Sequence, residues 1–315
     1  MPALVQTEHL TKRYGERTAV DDLNLTLNEG EIFGLLGPNG AGKTTTILML
    51  LGLTEPSAGK ATVDGLDPTR DAIKVKRVVS YLPENVGFYE DMSALGNLRY
   101  TADLNRIRPK EAESLIQEAL EAVGLEDRAQ DKVGTFSRGM RQRLGIADVL
   151  IKRPKLVFLD EPTLALDPDG VNQVLELILS LRRERGMTIL LSSHLLEQVQ
   201  RICDRIGIFV KGKMVAQGGI EELGVALSSS GNGSTGSRVV EVGAEPLSED
   251  LIKKLRAIKG VKSVERAQKM ILVRSDADLR PQLVQAVSDA GASLLHLRLQ
   301  TVGLEQIYFR YFREN

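Results

Sequence analysis

A glycine-rich segment between two apolar stretches restricts the fold of this chain more than any other feature. Residues 37–45 read GPNGAGKTT, directly after the apolar run 31–36 and just before the apolar stretch 47–51. The order of strand, glycine loop, Lys-Thr and helix brings backbone N–H groups and a helix N-terminus around a polyphosphate. The sequence therefore predicts a phosphate-binding loop within an α/β fold.

The residues of this loop have separate expected roles. Lys43 is expected to reach the β- and γ-phosphates of a nucleotide, and the Thr44 hydroxyl is a candidate Mg²⁺ ligand. A glycine turn with a chance lysine is the alternative, which the flanking strand and helix disfavour. The other residues predicted to surround the nucleotide are Gly37, Pro38, Asn39, Gly40, Ala41, Gly42 and Thr45.

Two acidic residues end a second short apolar run, LVFLD at 156–160. Runs of this kind are typical of buried strands in parallel sheets. Asp160 is expected to hold the hydration shell of Mg²⁺, and Glu161 is a candidate to orient and polarise an attacking water. Side-chain alternation predicts that the two carboxylates point in different directions. A pair of surface acids is the alternative interpretation.

One of the three histidines stands at the end of a further apolar run. His194 follows MTILLSS at 187–193 and precedes the amphipathic stretch LLEQVQRICD. Ligands of open α/β sheets bind at the carboxyl ends of strands, so we expect His194 to donate to a γ-phosphate. His9 and His296 lack this context and are interpreted as ordinary histidines.

A second helix N-terminus is predicted at residues 136–144, which read FSRGMRQRL. Ser137 is a good N-cap for a helix that runs to Ile151 and ends before Pro154. A serine and a glycine at a helix N-terminus form an anion site, yet the loop at 37–45 already binds phosphates. The segment is therefore expected to serve a neighbouring subunit. An ordinary cap followed by an arginine-rich surface is the alternative.

Composition excludes several classes of protein. The chain of 315 residues has 41 Lys and Arg against 42 Asp and Glu, a balance that argues against binding to nucleic acid or to an anionic membrane surface. Cys203 is the single cysteine, so neither a disulfide framework nor a cysteine-rich metal site is expected. No apolar run approaches the ~20 residues needed to cross a bilayer. A cytoplasmic protein is expected.

A change in composition divides the chain. Residues 228–237 read SSSGNGSTGS, the composition of a flexible linker between a first domain at 1–227 and an accessory or regulatory domain at 238–315. Periodicity in the second domain predicts the order βαββαβ, with strands at 238–242, 261–266, 269–274 and 294–299 and helices at 248–258 and 278–290. That order suggests a small α+β, ferredoxin-like domain.

Over residues 1–225 these motifs together resemble the ATP-binding cassette (ABC) ATPases. In family order, Tyr14 matches the aromatic that stacks on adenine, 37–45 the Walker A loop and Glu84 the Q-loop glutamine. Next come the signature at 136–140, Walker B at 156–162 with its catalytic Glu161, the D-loop with Asp167 and the switch residue His194. The resemblance implies a P-loop NTPase of the ABC type, with a mixed sheet core and a helical subdomain, that uses ATP and Mg²⁺.

The resemblance also implies a mechanism. Two copies are expected to form a head-to-tail homodimer, with each ATP between the Walker A loop of one copy and Ser137, Arg138, Gly139 and Met140 of the other. A separate membrane permease would couple hydrolysis to transport, and would place the protein at the inner face of the membrane. No nucleic-acid partner is expected.

Three positions depart from the common family pattern. Arg138 stands in place of Gly, Met140 in place of Gln, and Glu84 in place of Gln. The Glu84 carboxylate is expected to serve the metal and the reaction. These departures resemble the ABC-2-like exporters, and the segment around Glu84 resembles the ATPase of the transporter that matures nitrous oxide reductase. The alternatives are a soluble ABC-type ATPase with a non-transport target and a regulatory nucleotide binder without hydrolysis.

Overall fold

A computed structural model describes residues 2–220, 222–223, 238–267, 270–275 and 277–300. The chain forms two compact units, Met1–Gln217 and Gly218–Asn315. The predicted linker at 228–237 lies outside the described residues, so the domain limits at 227 and 238 stay predictions. No helix among the described residues is both long and apolar enough to cross a membrane.

A six-stranded sheet forms the centre of the first unit. Its spatial order is β10-β9-β4-β8-β7-β6, and the pairings among β4, β6, β7, β8 and β9 are parallel. Such strands are covered on both faces, which explains why their sequences are continuous apolar runs. The strands are β4 Ile32–Leu36, β6 Val79–Leu82, β7 Leu156–Asp160, β8 Thr188–Ser193, β9 Arg205–Val210 and β10 Lys213–Gly218.

A second sheet pairs β1 antiparallel with β2, β3 and β5, and the sequence patterns predicted only one strand of it. Its strands are β1 Ala3–Tyr14, β2 Arg17–Leu23, β3 Thr26–Asn28 and β5 Ala58–Val63. The alternating leucines 23, 25 and 27 predict one strand, but the structure breaks it between β2 and β3. At this break the Thr7 hydroxyl accepts a hydrogen bond from the backbone N–H of Leu25 at 2.8 Å, so a side chain satisfies that N–H.

Seven α-helices are described in the first unit, and three of them, α3, α4 and α5, pack on one another as a helical subdomain. Helices α2 and α7 contact strands of the central sheet, and α1 contributes Ile47 to a core that also contains Phe33 and Phe158. The helices are α1 Lys43–Leu50, α2 Ala72–Val78, α3 Ala94–Leu104, α4 Pro109–Ala122, α5 Arg138–Leu150, α6 Pro168–Arg185 and α7 Leu196–Ile202.

The described residues from 238 to 300 of the second unit have the predicted order βαββαβ. Its four strands form an antiparallel sheet in the order β12-β13-β11-β14, with a core of aliphatic side chains such as Val242, Leu255 and Val273. The assignment to the ferredoxin-like family stays a prediction. The elements are β11 Arg238–Glu245, α8 Glu249–Ala257, β12 Val261–Ala267, β13 Met270–Ser275, α9 Arg280–Asp289 and β14 Ser293–Gln300.

Candidate functional site

The predicted phosphate loop joins β4 to α1 at the carboxyl end of the central sheet. Gly42 precedes the helix with φ of 114°, and a Cβ placed on it would lie 2.5 Å from the Ala19 carbonyl oxygen. A Cβ on Gly37 would lie 2.6 Å from the Phe209 carbonyl oxygen. Side chains are excluded at both positions, so the backbone of β2 and β9 supports the loop directly.

Lys43 is the first residue of α1, and its side chain reaches back into the phosphate loop. Its Nζ donates to the Gly37 carbonyl at 2.6 Å and to the Pro38 carbonyl at 3.3 Å. The same Nζ lies 3.2 Å from Oε1 of Glu161, and both side chains are more than nine-tenths buried. Oε1 has no aligned hydrogen-bond donor among the described residues, so the contact is an ion pair rather than a directed hydrogen bond.

Glu161 is shared between Lys43 and His194. Its Oε2 lies 2.8 Å from Nδ1 of His194, whose side chain is 31% exposed. The three residues follow or end the neighbouring strands β4, β7 and β8, so three distant sequence motifs meet at one edge of the sheet. We call Lys43, Glu161 and His194 the ionic cluster. It presents one cation, one carboxylate and one imidazole at the mouth of the phosphate loop.

Asp160 is buried beside this cluster and is held by two hydroxyl groups. The Ser192 hydroxyl donates to Oδ1, and the Tyr81 hydroxyl donates to Oδ2 at 3.3 Å. Burial first, and then the negative charge of Asp160, raise the pKa of Tyr81 far above its usual range. Tyr81 therefore keeps its proton and remains a donor to the carboxylate.

The two adjacent carboxylates point in different directions, as predicted, but for another reason. Strand β7 ends at Asp160, and Glu161 has a left-handed backbone with φ of 48°. Strand alternation therefore does not apply at Glu161. The left-handed backbone, which is unusual for a residue other than glycine, turns the Glu161 carboxylate toward Lys43 in the phosphate loop.

The oxygen donors near the loop fit a magnesium ion that completes its shell from a nucleotide. Thr44 exposes its hydroxyl in the first turn of α1, and Asp160 supplies a carboxylate. The described residues contain no group of three or more His, Cys, Asp or Glu that would hold a metal alone. Mg²⁺ is commonly held by one or two carboxylates together with phosphates.

Glu84 lies on the exposed segment after β6. It forms no hydrogen bond or ion pair within the part of the chain that the structure describes. Its charge nevertheless reaches the site, because it contributes to the raised pKa of Tyr81. Its predicted roles toward the metal and the reaction stay predictions.

Tyr14 ends β1 in a hairpin that lies against the phosphate loop. Arg17, its cross-strand partner, brings Nη2 within 3.5 Å of the position that a Cβ on Gly40 would occupy. The Tyr14 ring is half-exposed, and Nζ of Lys12 lies 4.9 Å from its centroid while donating to the Glu55 carbonyl at 2.6 Å. One face of the ring is thus covered by a fixed cation beside the loop.

The predicted signature segment begins α5. The Ser137 hydroxyl accepts from the Met140 N–H at 3.2 Å, which confirms the predicted N-cap. Ser137 and Arg138 are exposed, and a Cβ on Gly139 would meet no atom within 4 Å. Among the described residues, no hydrogen bond or ion pair joins residues 137–140 to the loop at 37–45.

Asp167, the predicted D-loop residue, caps the N-terminus of α6. Its carboxylate accepts from the Gly170 N–H at 2.6 Å. The adjacent backbone is also unusual, since Ala165 has φ of 53°. The cap fixes the start of α6, a few residues after Asp160 and Glu161. The role of Asp167 between subunits stays a prediction.

Sequence reasoning missed the residues that support the acids. Ser192 and Tyr81 both donate to Asp160, and the Ser193 carbonyl accepts from the Gly37 N–H at 3.3 Å. The available signal was the pair of serines that ends the apolar run before His194, because a polar residue inside a buried strand must bond to something.

A phosphate loop whose lysine pairs with the carboxylate that follows a buried strand defines the class of P-loop nucleotide hydrolases. Residues 20–164 match the family described as ABC transporter. The chain belongs to the family of ABC transporter ATP-binding proteins, which confirms the predicted ABC type of P-loop NTPase. It is the nucleotide-binding subunit of an ABC transporter, and it binds and hydrolyses ATP.

Two relatives cover different lengths of the chain. The linearmycin resistance ATP-binding protein LnrL of Bacillus subtilis (strain 168) is 34% identical over 309 residues, 97% of each chain. The bacitracin transport ATP-binding protein BcrA of Bacillus licheniformis is 43% identical over 217 residues, 69% of this chain and 70% of that protein. The likeness to the ATPase of the nitrous oxide reductase transporter stays a prediction.

Solved structures resemble about seven-tenths of the chain. An ATP-binding subunit of an ABC transporter superposes with a TM-score of 0.65 at 30% identity, covering 72% of this chain and 95% of that one. A dimeric bacterial ABC transporter cassette gives a TM-score of 0.61 at 25% identity, covering 68% of this chain and 98% of that one.

Proposed function

We propose that this subunit works as a head-to-tail homodimer that drives export through a separate membrane permease. Each ATP would lie between the phosphate loop of one copy and residues 137–140 of the other. The observation that carries the proposal is the separation of two anion-binding features within one copy. The ionic cluster lies at the edge of the central sheet, whereas the capped N-terminus of α5 is exposed on the helical subdomain.

The ionic cluster is suited to hydrolysis. Lys43 places a buried positive charge among the loop carbonyls, where it would bind the β- and γ-phosphates. Glu161 would accept the proton of the attacking water, and its contacts with Lys43 and His194 hold its carboxylate in place. The partly exposed His194 would donate to the γ-phosphate. Magnesium, held by Thr44 and through water by Asp160, would neutralise phosphate charge when bound.

The signature segment is suited to the phosphate of a partner's ATP. The first turn of α5 offers unpaired backbone N–H groups and the positive end of the helix dipole. Arg138 adds a positive charge where the common family pattern has glycine. The open space around Gly139 leaves room for a second molecule to approach.

The relatives support transport as the purpose of hydrolysis. LnrL, similar over 97% of this chain, is described as a linearmycin resistance protein, and BcrA as a bacitracin transport protein. One description names resistance to a compound and the other names transport, and together they support the export that the ABC-2-like resemblance implies. A permease would hold the protein at the inner face of the membrane.

The dimer is tested by replacing the proposed base. Glu161→Gln keeps the shape of the side chain but cannot accept a proton, so turnover should fall by about 10²–10⁴ while ATP stays bound. Size-exclusion chromatography with ATP and Mg²⁺ should then show a dimer that disappears when ADP replaces ATP.

A second substitution provides the control. Ser137→Glu in the Glu161→Gln protein leaves the phosphate loop intact but places a negative charge at the N-terminus of α5. This double variant should bind ATP and remain monomeric. A Glu161→Gln protein that is monomeric at saturating ATP would contradict the sandwich dimer.

A further inference from the structure

Ser192 connects the two acids of the site through one buried hydroxyl group. Strand β8 lies between β4 and β7, and in this register Ser192 is the partner of Asp160 on one side and of Leu35 on the other. Ser192 is fully buried. Its side chain is therefore surrounded by the strands that carry the phosphate loop and the acids, and it has no access to solvent.

The Ser192 hydroxyl is used in both directions. It donates to Oδ1 of Asp160, and it accepts from the Glu161 N–H at 3.1 Å. The same N–H also lies 3.2 Å from the Ser192 carbonyl oxygen. A hydroxyl has one proton and two lone pairs, so a single side chain satisfies both neighbours. The carbonyl alone would hold Glu161 but could not link it to Asp160.

The Glu161 amide lies at the point where the chain turns. A non-glycine residue with φ near 48° is strained and persists only when its surroundings hold it. This turn directs the Glu161 carboxylate toward Lys43 and His194. A bond to the amide therefore acts on the position of the carboxylate, which the proposed hydrolysis depends on.

We propose that Ser192 is a positioning residue that holds Glu161 and Asp160 in one hydrogen-bonded arrangement for ATP hydrolysis. The inference rests on the proposed role of Glu161 and adds a residue whose side chain is fully buried. Nucleotide binding depends on the phosphate loop and on Tyr14, neither of which Ser192 bonds through its side chain. Loss of the hydroxyl should therefore lower kcat and leave ATP binding nearly unchanged.

The test compares three substitutions in the full chain. Ser192→Ala removes the hydroxyl, and Ser192→Cys keeps nearly the same size with a weak donor. Ser80→Ala is the matched control, because Ser80 is also buried, lies on the other neighbour of β7, and has a hydroxyl without a hydrogen-bond partner among the described residues. Steady-state ATPase assays give kcat and KM, and fluorescence titration gives the ATP Kd.

Ser192→Ala should lower kcat by about 10- to 100-fold, the effect of losing a hydrogen bond to a charged group, with KM and Kd within about threefold of wild type. The kcat of Ser192→Cys should lie between those of Ser192→Ala and wild type, and the kcat of Ser80→Ala should match that of wild type. Wild-type kcat in folded Ser192→Ala, or a raised KM at unchanged kcat, would overturn the inference. If Ser192→Ala does not fold, wild-type kcat in Ser192→Cys would overturn it.

Glu161→Gln in the same assay separates the two ideas. If Glu161→Gln abolishes turnover and folded Ser192→Ala keeps wild-type kcat, the positioning role fails and the proposed function stands. If Glu161→Gln retains wild-type turnover, the proposed role of Glu161 itself fails.

Discussion

The two units of this protein differ in what they bury. The first unit buries Lys43, Asp160 and Glu161 at one edge of its sheet. Among the described residues of the second unit, Ser275 alone is a buried polar residue, and its hydroxyl donates to a neighbouring carbonyl. The rest of that core is aliphatic. The second unit has the core of a domain that folds, and the first also has the buried charges of a domain that performs chemistry.

This contrast is informative because burying charge is unfavourable. A charged side chain removed from water destabilises the fold unless it is paired and hydrogen-bonded. Perturbed and buried ionisable groups therefore concentrate at functional sites. Lys43 pairs with Glu161, and the Ser192 and Tyr81 hydroxyls donate to Asp160, so the first unit tolerates these charges where a nucleotide would bind.

The largest expected effect comes from breaking the buried ion pair. Lys43→Ala should lower the ATPase rate by about 10² or more, because it removes a fixed cation from phosphoryl transfer. ATP affinity should fall as well. The unfolding free energy should fall by about 3 kcal/mol, because Glu161 stays buried after losing its lysine partner. ATPase assays, titration and urea unfolding measure the three effects.

The surface ion pair between Lys60 and Glu8 is the matched control. Its atoms are 2.9 Å apart, closer than those of the buried pair, but both side chains are more than 60% exposed. Lys60→Ala should change stability by less than about 1 kcal/mol and leave turnover unaltered. Equal effects of the two lysine substitutions would mean that burial does not distinguish the site.

A smaller effect is expected at the edge of the first unit. Tyr14→Ala should weaken ATP binding by about tenfold, because stacking on a base contributes about 1–3 kcal/mol. The kcat at saturating ATP should change little. Tyr100→Ala is the control, since Tyr100 is a similarly exposed tyrosine on α3. Unchanged ATP affinity together with lost turnover in Tyr14→Ala would show that the stacking role is wrong.

Local patterns predicted much of this site because local geometry creates it. The strand, glycine loop and helix around Lys43, and the Ser137 cap, each depend on a few consecutive residues. The buried runs that end at Asp160 and before His194 likewise predicted strands of a parallel sheet. Strand ends meet at one edge of such a sheet, so the sequence also predicted which motifs converge.

The remaining features depend on pairings across long distances in the chain. The sheet around β1, the break between β2 and β3, and the support of Gly42 by Ala19 arise from strand neighbours that periodicity does not reveal. The direction of Glu161 depends on a left-handed turn held by Ser192, more than thirty positions away. Propensity gives no signal for such a turn, because glutamate rarely adopts it.

If the first unit contains all the residues that bind ATP within one copy, a chain that ends at residue 227 should keep the ATP Kd of the full chain. All residues assigned to the site, from Tyr14 to His194, precede that point. We expect this shortened chain to bind ATP with the affinity of the full chain, and Lys43→Ala to weaken binding equally in both. Loss of ATP binding in a folded chain of residues 1–227 would show instead that the second unit completes the site.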